Sequence, residues 1–389
     1  MKPTLLTTRL LTALWLVMDS AAWAGTWYVN GVSGSDRNAC TSPATACKTI
    51  GHAIALAASG DSIRVAAATY VEQLTIGVSL TITGSSAPTT IIDGGGINTV
   101  VIVSNANAHV GLSNVTVRNG YAGRGGGIYN SGILTISSST ISGNSAFSRY
   151  SSGGGVYNRG TLTMNNTTVS GNTERGGVSA GLGGGIANSG TLTVNNSTIT
   201  GNFVSGAFGA GFGGGIGNAG TVTVNNSTIS GNTSSGWGGG IGNLDGNVSI
   251  NSSTIAGNKE IYGNGAVGNY SGTITLQNSI VANNSGGNCY ARAAITSKGY
   301  NLSSDSTCAF HSTGDLNNTN PHLGPLQYNG RPTQTMALPS GSPAIDAGNP
   351  NGCTDGMGHL LKTDQRGKPR PDPEDTGGCD IGAYESQID

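Results

Sequence analysis

The chain contains 389 residues, of which 66 are glycine and only 10% are charged. This amino-acid composition differs strongly from that of an average globular domain. The formal net charge is −1, so neither nucleic acid nor an anionic membrane surface is an expected partner, since both attract a basic protein surface.

Residues 1–24 have the features of a secretion signal. Lys2 and Arg9 give a positive start, residues 10–18 are apolar, and residues 22–24 (Ala-Trp-Ala) offer a small-x-small cleavage site. The apolar run is too short to span a membrane, and no later segment is long enough. We therefore expect a mature chain without a transmembrane segment, secreted or held at the cell surface, including an outer membrane surface.

Residues 25–120 are predicted to form an N-terminal cap and the first coils of a larger structure. Thr49–Ala58 is the one convincing amphipathic helix of the mature chain, with Ile50, Ile54 and Ala57 on one face. We expect this helix to cover an open end, where strand edges would otherwise be unpaired.

Residues 121–284 contain one block repeated six times, with copies starting at Gly125, Gly153, Gly183, Gly213, Gly238 and Gly265. The copy at Gly183 reads GGGIANSGTLTVNNSTITGN and holds three short runs rich in β-branched residues. Its middle run, Thr191–Val194, alternates polar and apolar residues, which indicates a strand with one buried face. Three short strands form one coil, and a coil buries its apolar side only by stacking on its neighbours. The predicted fold is therefore an all-β parallel β-helix.

Stacking places equivalent residues above one another, about 4.8 Å apart. Three apolar rows are predicted to fill the interior: Ile128, Val156, Ile186, Ile216, Ile241 and Val267; Leu134, Leu162, Leu192, Val222, Val248 and Ile274; and Ile141, Val169, Ile199, Ile229, Ile255 and Val281. Asparagine suits turns, and stacked amides bond to one another. Two asparagine rows are therefore predicted to be structural: Asn130, Asn158, Asn188, Asn218, Asn243 and Asn269; and Asn144, Asn172, Asn202, Asn232, Asn258 and Asn284.

The inserts between copies differ in length and run 145–152, 173–182, 203–212, 233–237 and 259–264. Each follows the same asparagine, so all are expected to leave the coil at one corner and to form a binding edge. They carry the candidate binding residues Phe147, Tyr150, Phe203, Phe208, Phe212, Trp237 and Tyr262. Aromatic rings stack on sugars or anchor protein partners. The alternative is that these rings fold back over the flank of the solenoid.

Residues 285–389 form an end region without glycine triplets and with more proline. The six cysteines lie outside the repeats in three neighbouring pairs: Cys40 with Cys47, Cys289 with Cys308, and Cys353 with Cys379. We expect these pairs to be disulfides, which an exported protein permits, although the sequence alone allows other pairings. Their spacing matches no zinc site.

Motifs along most of the chain resemble known exported proteins. GSDRNAC and CKTIGHAIALAASGDSIRV resemble the start of secreted right-handed parallel β-helix proteins of the pectate-lyase-like superfamily. The GGGI and ISGN copies resemble the repeats of polymorphic outer membrane proteins, and SPAIDAG, DQRGKPRP and CDIGAYE resemble the choice-of-anchor Q domain. The resemblance implies a right-handed parallel β-helix and a structural pair between Asp364 and Arg366. It implies no defined activity.

Enzymes of the family that the chain resembles use calcium-holding acids with an arginine base, or clustered aspartates. Between Gly125 and Asn284, no two carboxylates recur at matching positions in adjacent copies. The weak catalytic candidates are insert charges, which we expect to be solvated loop residues: Arg149, Glu174, Arg175, Lys259 and Glu260. Calcium would suit Asp346, Asp355, Asp364, Asp372, Asp375 and Asp380, but their spacing matches no calcium loop. No cofactor or metal is therefore expected.

These observations predict an exported solenoid that binds a polysaccharide, a cell-surface glycan or another surface protein along its insert edge. The alternative is a polysaccharide lyase or glycoside hydrolase.

Overall fold

The computed structural model describes residues 24–149, 152–176, 181–206, 210–330, 332–373 and 378–387. Residues 1–23 of the predicted signal, Tyr150, Phe208 and Asp375 lie outside the described residues. Most strands are short and parallel, and each pairs with the equivalent strand of the preceding and following coil. This is the parallel β-helix predicted from the repeat.

Each coil contributes strands to as many as five sheets, which we number in the order in which the repeat visits them. Sheet 1 comprises Leu74–Ile76, Val101–Val103, Ile128–Asn130, Val156–Asn158, Ile186–Asn188, Ile216–Asn218, Ile241–Asn243, Val267–Asn269 and Cys289–Ala291. Sheet 2 comprises Thr26–Val29, Asp61–Val65, Leu80–Gly84, His109–Ser113, Ile133–Ser137, Thr161–Asn165, Thr191–Asn195, Thr221–Asn225, Asn247–Asn251, Thr273–Gln277 and Ile295–Ser297. Sheet 3 comprises Ala68–Val71, Thr90–Asp93, Thr116–Arg118, Thr140–Ser142, Thr168–Ser170, Thr198–Thr200, Thr228–Ser230, Thr254–Ala256, Ile280–Ala282 and Leu302–Ser303.

The inserts form two smaller sheets. Sheet 4 comprises Tyr121–Ala122, Ser145–Ser148, Thr173–Gly176, Phe203–Ser205, Thr233–Ser234 and Lys259–Glu260. Sheet 5 comprises Gly181–Leu182, Gly211–Phe212 and Gly236–Trp237. An antiparallel pair near the C-terminus comprises Leu326–Gln327 and Thr335–Met336.

The three predicted apolar rows fill the interior in register. Ile186 pairs with Val156 and Ile216, one coil before and one coil after it, and the other rows follow the same pattern. Every member of the three rows is buried. At about 25 cal/mol per Å² of apolar area removed from water, burial of these rows favours stacking of the coils.

Both asparagine rows are structural, as predicted. Along the first row, Nδ2 of Asn158 donates to Oδ1 of Asn188 and Nδ2 of Asn188 donates to Oδ1 of Asn218, each over 2.8 Å. The second row repeats this contact, for example between Asn172 and Asn202 at 2.9 Å. All members except Asn284 are buried. Amide stacking, which also satisfies main-chain carbonyls, therefore explains both rows.

The left-handed backbone of the turns lies elsewhere. It occurs between sheets 2 and 3, at Ser138, Asn166, Asn196, Asn226, Ser252 and Asn278. It also occurs at the first glycine of each triplet: at Gly183, with φ of 67°, a Cβ atom would lie 2.1 Å from the carbonyl oxygen of Ile186. The asparagine rows were predicted to supply the unusual backbone angles of the turns, and this part of the prediction was wrong. The glycine triplets do form tight corners.

The N-terminal cap contains the predicted helix, which is shorter than expected and spans Ile50–Leu56. The side chain of Thr49 accepts from the backbone N–H of His52, a standard N-cap contact. The carboxylate of Glu72 also accepts from the N–H groups of Ile50 and Gly51. The helix is thereby fixed against the first coil, with Ile50 buried. A 3₁₀ turn over Pro43–Thr45 precedes it.

The three local cysteine pairs are disulfides: Cys40–Cys47, Cys289–Cys308 and Cys353–Cys379. Strand pairing continues past residue 284, because Cys289–Ala291, Ile295–Ser297 and Leu302–Ser303 extend sheets 1, 2 and 3 by one more coil. The Cys289–Cys308 disulfide closes this last coil.

The described residues of the remaining C-terminal segment, 317–330, 332–373 and 378–387, fold back along the outer face of sheet 3. Thr198, Thr228 and Thr254 form an outward row there, and all three are buried beneath it. The amide of Gln365 accepts from Thr228 Oγ1 over 2.6 Å and donates to Thr198 Oγ1 over 3.0 Å. The backbone N–H of Ala383 donates to Thr254 Oγ1. This segment therefore lines the side of the solenoid as well as its end.

Among the described residues, no helix is long and apolar enough to cross a membrane.

Candidate functional site

The inserts leave the solenoid at a single corner, as predicted. Their first legs pair in register as sheet 4, with Ser145, Thr173, Phe203, Thr233 and Lys259 in one row. The second legs of inserts 173–182, 203–212 and 233–237 return as sheet 5 and lead into the glycine triplets. The result is a ridge that runs parallel to the solenoid axis.

Two of the catalytic candidates are buried, which corrects the expectation of solvated loop charges. Glu174 and Glu260 occupy the inward row of sheet 4, together with Ala146, Val204 and Ser234. Oε2 of Glu260 accepts from the backbone N–H groups of Tyr262 and Asn264, so this carboxylate holds the turn of its own insert. Neither glutamate faces the outer surface, where a polysaccharide would lie.

The other candidate charges lie on the outer side of the ridge. Arg149, Arg175 and Lys259 are exposed, and the guanidinium carbon of Arg175 lies 5.7 Å from the ring centre of Phe203. The structure therefore does not bring the five candidates together as an acid–base pair.

The predicted aromatic residues separate into two groups. On the outer side of the ridge, Phe147 is 55% exposed and stacks on Tyr121 at 6.5 Å between ring centres, and Tyr262 is 66% exposed. Phe203, beside Arg175, is half-buried. Phe212 and Trp237 point the other way, towards sheet 1, and Phe212 is buried. The alternative prediction, that the aromatic rings fold back over the flank of the solenoid, is therefore correct for these two rings.

Small residues on the outer face of sheet 1 admit the returning legs. The central residue of each sheet 1 strand faces outward, and in the three coils whose insert returns as a sheet 5 strand it is Ala187, Gly217 or Gly242. A Cβ atom at Gly217 would lie 2.5 Å from the carbonyl oxygen of Phe212 and 2.8 Å from a methyl group of Leu182. Leu182, Phe212 and Trp237 thus pack where a larger side chain would exclude them.

The same outward position carries tyrosine in three of the coils that have no sheet 5 strand. Tyr129 and Tyr157 are adjacent in the first and second copies of the repeat, with ring centres 5.3 Å apart, and Tyr290 occupies the last strand of sheet 1. Trp237 contacts Tyr290 edge-on at 4.9 Å and lies parallel to Phe212 at 6.2 Å. We call the resulting row the aromatic strip and define it by Tyr129, Tyr157, Phe212, Trp237, Tyr270 and Tyr290.

Three exposed arginines flank the aromatic strip. The guanidinium carbon of Arg124 lies 5.4 Å from the centre of Tyr157, and that of Arg292 lies 5.0 Å from Tyr270 and 5.9 Å from Trp237. Arg159 Nη1 donates to the hydroxyl oxygen of Tyr129, a bond that raises the pKa of Arg159 above its usual value. None of the three forms an ion pair with a described residue. The strip therefore presents aromatic faces and unpaired positive charge together.

The strip tyrosines and their arginines were missed by sequence reasoning, which considered only the inserts. A signal was present: in the motif GGGI-x-N, the residue between the buried isoleucine and the buried asparagine must face outward. At that position the copies read Tyr129, Tyr157, Ala187, Gly217, Gly242 and Gly268. The change from tyrosine to small residues marks the coils in which an insert returns over the sheet.

The described residues do not assemble a metal site from the acids considered for calcium. Asp364 accepts from backbone N–H groups and pairs with Arg366 at 2.7 Å, the pair implied by the family resemblance. Asp380 accepts from the N–H groups of Asp346 and Ser386. Within the part of the chain that the structure describes, the one clustered set of ligand-type side chains joins Cys40, Cys47 and His52, and its two cysteine sulfurs are already in a disulfide.

Comparison with known proteins supports the fold. No protein-family model matches the chain, and no curated protein matches its sequence. Pectate lyase Pel9A superposes with a TM-score of 0.52 at 14% identity, over 92% of this chain and 96% of the lyase. Rhamnogalacturonan lyase (TM-score 0.43, 11% identity, 82% and 96% of the two chains) and a pectin methylesterase from carrot (0.39, 11%, 76% and 84%) are more distant. The chain is thus a right-handed parallel β-helix similar in fold to pectate lyase.

Proposed function

We propose that the protein binds polysaccharide or cell-surface glycan chains along the aromatic strip. The observation that carries this proposal is the alignment of six aromatic side chains along the solenoid axis, five of them at least partly exposed, with three arginines among them that form no ion pair with a described residue. A sugar ring has apolar faces that pack on aromatic rings, and its hydroxyl or acidic groups accept hydrogen bonds from guanidinium. The rigid column of paired strands holds these groups at fixed spacing before binding, which lowers the entropic cost of association.

A glycan array followed by calorimetric titration of the best ligand tests this proposal. Trp237→Ala and Tyr290→Ala each remove one ring of the edge-on contact between Trp237 and Tyr290. We expect each substitution to weaken binding at least tenfold, since an aromatic hot-spot residue is worth about 2 kcal/mol or more.

Phe147→Ala provides the matched control, because Phe147 is an exposed aromatic residue on the outer side of the ridge. It should leave affinity for the ligand unchanged. If Phe147→Ala weakens binding and the two strip variants do not, the binding face is the outer side of the ridge and the aromatic strip is not the site.

Catalysis is the competing function and needs a separate assay. Acidic and neutral polysaccharides are incubated with the protein, with and without calcium, and product release is measured. Binding without turnover is the expected result, because the described catalytic candidates do not converge. Turnover that is lost in Arg175→Ala or Lys259→Ala would instead identify a polysaccharide lyase or glycoside hydrolase.

We further infer that the protein is exported and acts at or beyond the cell surface. Three disulfides support this inference, since such bonds persist mainly in oxidising compartments. The repeats and the end region would then be those of polymorphic outer membrane proteins and of the choice-of-anchor Q domain. N-terminal sequencing of the exported protein tests the inference, with cleavage after Ala24 as the expected result and an intracellular, uncleaved chain as the contradictory one.

A further inference from the structure

A groove lies apart from the aromatic strip, on the outer side of sheet 2 at the N-terminal end of the solenoid. It has a volume of about 620 Å³, within the range of ligand sites. Its floor is formed by Tyr28, Arg64 and Thr83, which occupy one row on three adjacent strands. Ser62 and Thr81 add hydroxyl groups in the neighbouring row. A phenol ring, a guanidinium group and several hydroxyls therefore share one surface.

The disulfide loop of the N-terminal cap supplies a wall to this groove. Pro43 and Ala46 line it, and the loop is tied to the edge strand of sheet 2 on both sides of the 3₁₀ turn. Tyr28 N–H donates to the carbonyl oxygen of Cys40, and Cys47 N–H donates to the carbonyl oxygen of Tyr28, each over 2.8 Å. The Cys40–Cys47 bond closes the loop. The wall is therefore held in place before any ligand arrives.

The charge in the groove is positive and unbalanced. The Arg64 side chain is exposed and its guanidinium group forms no hydrogen bond or ion pair with a described residue, and none of the described residues that line the groove is acidic. The acids of the surrounding coils are committed elsewhere. Asp61 accepts from Trp27 Nε1 and two backbone N–H groups, and Glu72 caps the helix. An anion that entered the groove would meet Arg64 without displacing an internal partner.

We propose that this groove is a binding site for a saccharide that carries a carboxylate, such as a uronic acid unit of an acidic glycan. Arg64 would pair with the carboxylate, because the planar guanidinium group matches a carboxylate with two parallel hydrogen bonds. Tyr28, in the adjacent strand, would pack on the sugar ring, and Ser62, Thr81 and Thr83 would bond to its hydroxyls. The site is separate from the aromatic strip, so either proposal can fail without the other.

The test titrates a linear trimer of uronic acid units into the full chain, and in parallel the same trimer with its carboxyl groups reduced to alcohols. The Tyr290→Ala background is used so that binding at the aromatic strip does not mask the groove. We expect saturable binding of the uronate trimer, at least tenfold weaker binding of the reduced trimer, and a ten- to hundredfold loss in Arg64→Ala, the range for a charge-assisted hydrogen bond.

Arg37→Ala is the matched control, since Arg37 is an exposed arginine of the same cap that does not line the groove. It should bind the uronate trimer as the parent does. Arg64 is a surface residue, so Arg64→Ala should retain the parent melting temperature. Equal affinity for both trimers, equal losses in Arg37→Ala and Arg64→Ala, or no binding of the uronate trimer would overturn the proposal.

Discussion

At the scale of single residues, the asparagine rows are the polar groups on which the interior depends most. Asn188 accepts from Asn158 and donates to Asn218, and its amide also satisfies the carbonyl oxygens of Gly190 and Thr221. The residue is fully buried. Its removal would leave several partners without a bond in a region that water does not reach, which is costlier than the loss of an exposed hydrogen bond.

We therefore predict that Asn188→Ala lowers the free energy of unfolding by about 3 kcal/mol. Asn195→Ala is the control from the same coil, because Asn195 stacks in a similar side-chain row with Asn165 and Asn225 but is half-exposed. Water can replace its bonds, so its loss should cost less than about 1 kcal/mol. Urea unfolding followed by circular dichroism measures both values, and equal losses would contradict the argument.

The two buried glutamates show how position within a coil outweighs residue type. Glu174 and Glu260 are in register with Val204 and Ser234, so the backbone directs all four side chains inward. Without structural information, charged residues in a variable insert are predicted to face solvent, because burial of a charge is unfavourable. Here the inserts begin with a paired strand, and for Glu260 the backbone donors of Tyr262 and Asn264 compensate the carboxylate.

At the scale of elements, the returning leg of each insert depends on a small residue beneath it. Gly217 has an ordinary negative φ, and a Cβ atom there would lie within 2.5 Å of backbone atoms of Gly183 and Phe212. Sheet 5 would have to move away from sheet 1 to admit the extra methyl group. The position of Trp237, which directly precedes the next triplet at Gly238, would change with it.

We predict that Gly217→Ala destabilises the protein by about 2 kcal/mol, within the range for overpacking. It should also weaken glycan binding at the aromatic strip. Gly77→Ala serves as the control, because Gly77 is exposed and its new Cβ would lie 3.5 Å from Ser104 Oγ, an ordinary contact. Thermal melts and titration with the same glycan measure both effects. A Gly217→Ala protein as stable as Gly77→Ala would show that the leg does not need the space.

The C-terminal segment is held against the solenoid by a buried ionic cluster. Arg370 Nε donates to Glu385 Oε2 over 2.5 Å, and Arg370 Nη1 donates to Asn226 Oδ1 of the solenoid over 3.0 Å. Burial raises the pKa of Glu385 from 4.5 to about 7 despite the nearby guanidinium, and burial raises the pKa of Asp380 from 3.8 to about 6. Both carboxyl groups therefore bind protons more tightly in the folded protein than in the unfolded chain.

A group with a raised folded-state pKa makes the free energy of unfolding fall as pH increases between its unfolded and folded values. We predict that the stability of the wild-type protein decreases by an amount on the order of 6 kcal/mol from about pH 4 to pH 8 through these two groups. In Glu385→Gln the side chain still accepts from Arg370 but does not titrate, so the decrease should be smaller. Urea midpoints across this pH range measure both slopes, and parallel slopes would contradict the assignment.

At the scale of the whole molecule, the interior was predictable and much of the exterior was not. The apolar rows and asparagine rows recur at every copy, so one copy fixes the register of all, as for Ile186 and Asn188. The contacts of the C-terminal segment have no such recurrence. Gln365 meets Thr228 across 137 residues and Arg370 meets Asn226 across 144 residues, and no local pattern in the sequence encodes either contact.

The candidate site was predicted in part, for a related reason. The corner at which the inserts leave follows from their shared asparagine, and Phe212 and Trp237 were identified among their aromatic residues. Those two rings point towards sheet 1 because small residues on its outer face leave room for them. These small residues are Ala187, Gly217 and Gly242. To predict the direction of these rings, the inserts and the outward positions of sheet 1 had to be considered together.

The length of the aromatic strip leads to a prediction about ligand size. Tyr129 and Tyr290 occupy the same row of sheet 1, six strand intervals apart. At about 4.8 Å per interval, the strip extends over about 29 Å. Affinity for a bound glycan should therefore increase with chain length until the extended chain reaches about 29 Å, and then level off, because further units find no ring.

The double variant Tyr129→Ala/Tyr157→Ala removes one end of the strip and leaves Trp237, Tyr270 and Tyr290 in place. It should move the plateau to shorter chains without changing affinity for the shortest ligands that bind. Both tyrosines are half-buried on an outer face, so the fold should tolerate their loss, which a melting curve checks. An affinity that does not depend on chain length, or a plateau unmoved in the double variant, would show that the column of coils is not used as one continuous binding surface.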